Sequence, residues 1–599
     1  MLAALSLPAA YTIYRAFTLR VEYHDGFAYL VNARYLAGDR SLPYAPGRPP
    51  LVSLLQIPVV KAASLAQAPG PWLMVAPHVL SAVLSLLAAL AVFFAYRSGL
   101  GPAAALLGVL LFATTRLFIR YGAHVMTDLP VAGLSAAAVA LYSAAIRSGR
   151  FRTYALAGAA LGATISTKYS AALLALALVL ATGLLAFRVR QDGARRRLVF
   201  DRALRPWLGL LLVGLATAAV FAAIHAPVFW SFFGPHALRE FLPSMRAGLA
   251  AVAGFSDESR KDYLVMLVEM ASPAGTLLAL GGIAVALARP QRRDAIFAAW
   301  LAVVGGGIVL LVGHNEARYL FPAVPPLFYF AARAVEFCWE RWRRPLRPRR
   351  TAAMALALVV GLAGLSMVSG AAQAWDDRDR FFRTDIEGRA VELAAQSVRG
   401  RGRLLLLGTR HTLSPRDPGP VPADEFWNVF HYVPPIPAYF LGRPLAQLGL
   451  PSASVQVLRP LLAAWLRDGD AVLRLDGLFY STKTFPEGPV PRPLEVWSIA
   501  RLDLVPAPGR PGHLTASQGT VAATLADDPG AGAVVFAPDQ SLGERAIFVK
   551  NAAKRTPDFV RFARLERNTD IVLPTATRVQ DVEAIVLIDV AVRRVGLDE

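Results

Sequence analysis

The stretch VEYHDGFAYLVNARYLAGDRSLPYAPGRPPL, Val21–Leu51, decides the fold, because it interrupts a very apolar chain directly after its first apolar run. It carries a histidine beside an aspartate, several aromatics, scattered arginines and a Pro-Gly-Arg-Pro-Pro turn that no helix can continue through. Such a segment is out of place inside a hydrocarbon layer and at home in a loop between membrane spans.

The rest of the chain supports that reading. Of 599 residues, 55% are hydrophobic and only 17% charged, below the quarter or so that soluble proteins carry. Eleven apolar segments follow one another, at about 2–19, 72–96, 98–115, 129–146, 153–167, 169–187, 206–229, 270–288, 295–313, 319–338 and 351–373. The expected fold class is therefore a polytopic α-helical membrane protein of about 11 transmembrane helices. The first segment has no basic leader and no small-residue cleavage site, so it is expected to be a retained signal anchor.

The net charge of +20 would suit a nucleic-acid binder, but the arginines fall in short clusters between apolar runs, as membrane loops do. Nucleic acid is excluded as a partner on that ground. Cys338 is the single cysteine, which excludes an internal disulfide and a cysteine-based metal site.

Orientation follows from the loops. With the N-terminus inside, loops 97, 147–152, 188–205, 289–294 and 339–350 hold 20 basic residues, against 8 in outer loops 116–128, 168, 230–269 and 314–318 and 4 across 21–70. The positive-inside rule selects a cytoplasmic N-terminus. An odd number of spans then leaves residues 374–599 as an extracytoplasmic domain. Runs such as RLLLLGT, AVVFAP and AIVLIDVAV, with a helical pattern at 387–398, predict a mixed α/β fold there. The quoted stretch becomes the first outer loop, about 21–70, with LVSLLQIPVV too short to span and read as interfacial.

This topology sorts the charged residues near the apolar segments. Asp25, Arg48, Asp128, Lys168, His314, Glu316, Arg318 and Tyr319 all fall at the outer boundary. Each has an ordinary alternative: Asp25 and Asp128 as helix N-caps, Lys168 and Arg318 as snorkelling anchors, His24 and His314 as satisfied polar neighbours. Together they are a functional hypothesis, since charges at membrane depth are costly. Three cations, Arg48, Lys168 and Arg318, suit a phosphate at headgroup level. A carboxylate beside them suits proton abstraction from an attacking hydroxyl.

These motifs resemble those of the GT-C superfamily of polyprenyl-phosphate-sugar glycosyltransferases, in the branch of protein O-mannosyltransferases and aminoarabinose transferases acting on lipid A. HDGFAYLVNARYLAGD looks like the family's first acidic segment and implies Asp25 as catalytic carboxylate, with His24 and Tyr29 as substrate-binding neighbours. PGRPPL looks like the family's KPPL element, with Arg48 in place of lysine. MTDLPVAG resembles the second acidic motif and implies Asp128 as a second catalytic carboxylate that positions the acceptor, or a metal if one is used; STKYSA resembles TKG and implies Lys168, with Tyr169 where glycine is common. EARYLFPAVPPL resembles the RYLLP element and implies Arg318 and Tyr319, beside His314 and Glu316.

The resemblance covers about residues 1–373, taken as the transmembrane catalytic domain. It implies transfer of a sugar from a polyprenyl-phosphate donor to an unidentified acceptor on the outer face. Arg48, Lys168 and Arg318 would bind the donor phosphate. Some members use a divalent metal and others none, and the residues here leave that open. A lipid-linked glycan flippase and a non-catalytic binder of envelope polymer are the competing readings; the first predicts charges towards the midplane and repeated helix halves.

Overall fold

The computed structural model describes residues 2–20, 22, 24–39, 47–65, 70–192, 195–200, 204–237, 239–240, 242–243, 246, 261–312, 317–343 and 349–375, and beyond these only a set of β-strands. The chain divides into two compact units. One comprises Met1–Phe17, Ala45–Lys61 and Ala76–Asp376; the other comprises Thr18–Tyr44, Ala62–Val75 and Asp377–Glu599.

The first unit is helical. Its chain enters through α1 (Leu2–Thr18). α2 (His24–Leu36) belongs to the second unit, and α3 (Leu51–Leu65) and α4 (Gly70–Arg97) each begin or end there. Then follow α5 (Pro102–Ala113), α6 (Arg116–Tyr121), α7 (Asp128–Ser148), α8 (Phe151–Thr167), α9 (Leu173–Ala186) and α10 (Leu204–Phe233). Beyond α10 lie the helices Lys261–Ala288, Asp294–Trp300, Gly306–Leu311, Val324–Arg343 and Arg349–Trp375.

By length and composition, seven of the described helices can cross a bilayer: Leu73–Arg97, Asp128–Ser148, Tyr169–Ala186, Leu204–His236, Tyr263–Ala288, Asp294–Leu311 and Arg350–Ala372. The remaining expected segments are also helical but depart from a simple span. α1 and α8 have 17 residues and α5 only 12, while Val324–Arg343 carries Arg333, Glu336, Glu340 and Arg341 among its apolar residues. The segment expected at 98–115 shortens because Gly101–Pro102 starts its helix late, with proline in the first turn. The segment expected from 270 begins at Lys261, and the discrepancy has a cause. Its helix has two halves that meet at Ser272–Pro273, where Ser272 takes φ 61°. There Ser272 Oγ accepts from Gly275 N at 3.2 Å, capping the second half, and donates to Ser366 Oγ at 3.0 Å.

Short side chains allow close helix approaches, among them that of α8 to α10. Gly158 and Gly162 lie four residues apart on α8, and a Cβ on them would fall 2.4 Å from Val213 O and 2.7 Å from Thr217 O. α8 and α10 thus touch backbone to backbone, as small-residue pairs permit in membranes. Thr217 Oγ1 ties the contact by donating to Gly158 O at 3.0 Å.

At the other end of the helices a polar knot is buried. Tyr329 is fully buried, stacks on Phe297 with centroids 3.7 Å apart, and donates to Asp294 Oδ1 at 2.8 Å. Arg333 lies 3.8 Å from Asp294 and 3.5 Å from Glu336, whose other oxygen accepts from Gly101 N at 2.6 Å. Buried charges persist where partners and hydrogen bonds surround them.

Two parts of the loops differ from the sequence reading. The arginine-rich loop 188–205 contains a hairpin, β1 (Phe187–Asp192) against β2 (Arg195–Phe200), antiparallel. The first outer loop, read as a rigid turn with an interfacial segment, is also more regular: it contains α2, and the Gly47–Pro50 turn precedes α3, which includes LVSLLQIPVV. Gly38, at φ 120°, ends α2, and Asp39 doubles back to pair with Arg34 at 3.0 Å.

In the second unit the C-terminal strands form two sheets. One has six strands in the order β4 (Ala446–Leu448), β3 (Leu404–Leu407), β5 (Ala471–Ser481), β11 (Val582–Arg594), β8 (Glu544–Asn551) and β9 (Asp558–Ala563), the other three in the order β10 (Asp570–Val572), β7 (His513–Ala522) and β6 (Ile499–Pro506). β3 (Leu404–Leu407) runs parallel to β4 (Ala446–Leu448) and β5 (Ala471–Ser481). β11 (Val582–Arg594) is antiparallel to β5 and to β8 (Glu544–Asn551). Two of the expected strands, in RLLLLGT and AIVLIDVAV, are thus β3 and β11. AVVFAP and the helical pattern at 387–398 lie outside the described residues.

Candidate active site

Four of the residues singled out in the sequence meet in the first unit: Asp128, Lys168, Arg318 and Tyr319. Asp128 opens α7 and is 2% exposed. A carboxylate in a first helical turn is favoured by the helix dipole. Thr127, not Asp128, occupies the N-cap position, so the carboxylate is released for other work. Lys168 stands between α8 and a 3₁₀ turn, Tyr169–Ala172, with extended backbone at φ −155° and ψ 120°. Its amide donates to Thr164 O and its carbonyl accepts from Ala171 N. This break in the helix turns the side chain aside, and Nζ donates to Asp128 Oδ1 at 2.7 Å.

Arg318 and Tyr319 lie on the 3₁₀ turn Ala317–Ala323, which leads into the helix Val324–Arg343. The Tyr319 ring serves both cations. Lys168 Nζ is 4.5 Å from its centroid and Arg318 Cζ is 5.5 Å from it. Cations within about 6 Å of a ring face are attracted by its quadrupole. The arrangement therefore sets two positive groups around one half-buried ring, with a buried carboxylate behind one of them.

The loop that delivers Asp128 is fixed from below. Thr115 caps α6 by accepting from Phe118 N at 3.2 Å. Arg15 of α1, 1% exposed, donates to the carbonyls of Ile119 and Arg120, the latter at 2.6 Å, and its Nη2 is 3.5 Å from His124 Nε2. His78 and His124 face each other edge-on with centroids 5.8 Å apart. None of Arg15, His78 and His124 emerges from the sequence reading. For His124 one signal was present, since it precedes Asp128 by one helical turn's spacing within the same polar loop.

Tyr169, where the resembling family tends to have glycine, points inward. It is 8% exposed and its hydroxyl is 3.5 Å from Nε2 of His225. The His225 ring stacks on Phe221 at 3.9 Å, with Nδ1 3.0 Å from Phe221 O. The substitution for glycine thus anchors the turn that carries Lys168, a role no spacing argument exposes.

The other sequence-predicted residues fall elsewhere. Arg48 lies three residues before α3 in the first unit, half-buried between Gly47 and the buried Pro49. Asp25 and Tyr29 belong to the second unit, Asp25 half-buried in the first turn of α2 and Tyr29 buried. A neighbour missed in the sequence is Glu22, fully buried beside the start of α2. A Cβ on Gly26 would fall 2.3 Å from Glu22 Cγ, so glycine at 26 gives that side chain its room. His24 begins α2 but its side chain is outside the described residues, as are His314 and Glu316 altogether.

The donor set around Asp128 does not fit a divalent cation. An ammonium already sits 2.7 Å from Asp128 Oδ1, and a metal there would meet that charge at contact distance. No catalytic step is therefore routed through a metal at Asp128.

The chain is similar to known proteins in part of its sequence and in its fold. Residues 73–234 match the family model of dolichyl-phosphate-mannose-protein mannosyltransferases, a stretch that includes Asp128 and Lys168. No curated protein matches the chain in sequence. Among solved structures, ArnT from Cupriavidus metallidurans bound to undecaprenyl phosphate is similar at a TM-score of 0.54 and 14% identity, over 79% of this chain and 92% of that one. The oligosaccharyltransferase of Archaeoglobus fulgidus in its apo form is similar at 0.51 and 12% identity, over 79% and 69%. The fold is thus shared with ArnT and with that oligosaccharyltransferase.

Proposed function

We propose that the chain is a membrane glycosyltransferase that moves a sugar from a polyprenyl-phosphate donor to a protein, lipid or envelope-glycan acceptor at the outer membrane face. The observation that carries this reading is the Asp128–Lys168–Tyr319–Arg318 arrangement, in which two cations flank one ring at the end of membrane helices. The family model over residues 73–234 supports a mannosyltransferase-like donor chemistry, and the undecaprenyl phosphate bound to ArnT supports a lipid-phosphate carrier. A flippase reading draws no support from the polar residues gathered here at one level.

In the reaction, the acceptor oxygen or nitrogen attacks the anomeric carbon of the donor sugar. That bond forms as the bond from the anomeric carbon to phosphate oxygen breaks, and the electron pair leaves with polyprenyl phosphate. Asp25 takes the acceptor's proton as general base, with Tyr29 and His24 beside it. Arg48, Lys168 and Arg318 hold the phosphate, whose charge grows in the transition state; fixed cations stabilise that growth more than they stabilise the ground state. Asp128 holds the Lys168 ammonium in place, and the Tyr319 ring attracts both Lys168 and Arg318. His314 and Glu316, just before Arg318 in the sequence, take part in binding substrate.

The same reading places the N-terminus in the cytoplasm, residues 1–373 in the plasma membrane as the catalytic domain, and residues 374–599 outside as a separate α/β domain. The test is transfer by the full chain in proteoliposomes. Label supplied as polyprenyl-phosphate mannose should appear in acceptor, while label supplied as nucleotide sugar should not; the opposite pattern rejects a lipid-phosphate donor.

A further inference from the structure

The helix Val324–Arg343 follows the 3₁₀ turn that carries Arg318 and Tyr319 and runs for 20 residues. At 1.5 Å per residue its far end lies about 30 Å away, about the thickness of a bilayer's hydrocarbon core. A second group of cations gathers there. Arg289, at the end of the helix Lys261–Ala288, and Arg341 both stack on Phe337, with Cζ 5.2 Å and 5.9 Å from its centroid. Arg343 stacks on Trp339 at 5.3 Å.

Trp339 and Trp342 pack ring to ring at 5.2 Å and remain 43% and 40% exposed. Among the described residues, no carboxylate lies within ion-pair distance of Arg289, Arg341 or Arg343. Three guanidinium groups are thus held by ring faces, with their N–H edges left for an anion. The exposed indoles beside them are the side chains that settle at headgroup depth. Guanidinium groups offer paired donors matched to phosphate oxygens.

We propose that Arg289, Arg341 and Arg343, with Trp339 and Trp342, bind the phosphate headgroup of an anionic phospholipid in the leaflet opposite the Asp128–Lys168 site. The ring stacking distinguishes this surface from a set of solvated arginines, because Phe337 fixes Arg289 and Arg341 relative to each other and Trp339 holds Arg343 before the lipid arrives. The lipid is not the donor: the helix length separates the two phosphate levels by a membrane's thickness.

The test reconstitutes the full chain in nanodiscs of mixed phosphatidylcholine and phosphatidylglycerol and counts, by native mass spectrometry, the lipids that stay bound after the bilayer is stripped. The wild-type chain should retain phosphatidylglycerol preferentially. The R289Q/R341Q/R343Q variant should lose that preference by about fivefold per arginine removed. Phe337→Leu, which keeps every charge and removes the shared ring, should also lower retention. Unchanged retention in the triple variant overturns the site, and unchanged retention in Phe337→Leu overturns its fixed geometry. Sugar transfer, measured on the same samples, should be unaltered in both variants.

Discussion

Lys168 Nζ lies 2.7 Å from Asp128 Oδ1, and the two side chains are 14% and 3% exposed. The pair joins the break after α8 to the first turn of α7, and through the Tyr319 ring it reaches Arg318. Removing one charge of such a pair strands the other in a poorly hydrated place, whereas removing both does not.

Asp128→Asn should therefore lower the protein's stability by about 3 kcal/mol, the cost of breaking a buried pair from one side. D128N combined with K168M should recover most of that stability but no sugar transfer. Thermal unfolding in detergent, run beside a transfer assay, separates the two effects. Recovery of transfer in the double variant would show that the pair is structural only.

Tyr319→Leu removes the ring shared by the two cations. A loss of about 1–2 kcal/mol of cation–π attraction should appear as a roughly tenfold rise in KM for the lipid-phosphate donor, with acceptor KM unchanged. Tyr319→Phe, which keeps the ring face, should behave nearly as wild type.

Arg318→Ala should cut kcat by about 10²–10³, the scale on which a lost donor to a developing oxyanion is felt. Arg318→Lys should restore only part of it, since a point charge replaces a planar fork. An equal loss in both variants would indicate that shape, not charge, matters at this position.

Gly158→Leu should separate α8 from α10, because even a Cβ there falls 2.4 Å from Val213 O. A lower melting temperature is the expected result, together with a fall in transfer, since the end of α8 carries Lys168. Gly183→Leu is the control: a Cβ there meets nothing within 4 Å, so its melting should be unchanged.

A reporter fused after Glu599 should read as extracytoplasmic. A cytoplasmic signal would require an even number of crossings and would move residues 374–599 to the inner face.

Much of this arrangement was legible from the order of short motifs. MTDLP, STKYS and EARYLFP are far apart in sequence, and the structure brings their Asp128, Lys168, Arg318 and Tyr319 together. The positions of helices were legible too, because apolar runs of span length leave few alternatives. What escaped was of another kind. Arg15 and His225 are single polar residues inside apolar runs, and only their partners, the carbonyls of Ile119, Arg120 and Phe221, reveal their use. The Ser272 kink depends on a hydroxyl capping a half-helix, which spacing does not express. The hairpin at 187–200 was hidden because arginine-rich connections between spans read as plain loop.

The measurement closest to the central claim is transfer from a labelled polyprenyl-phosphate sugar by Asp25→Asn in proteoliposomes, with insertion and donor binding measured on the same sample. Loss of the general base should lower kcat by about 10²–10⁴ while donor binding persists. Transfer by Asp25→Asn at near wild-type rate would contradict the assignment of Asp25 as the base, and with it the direct-displacement account.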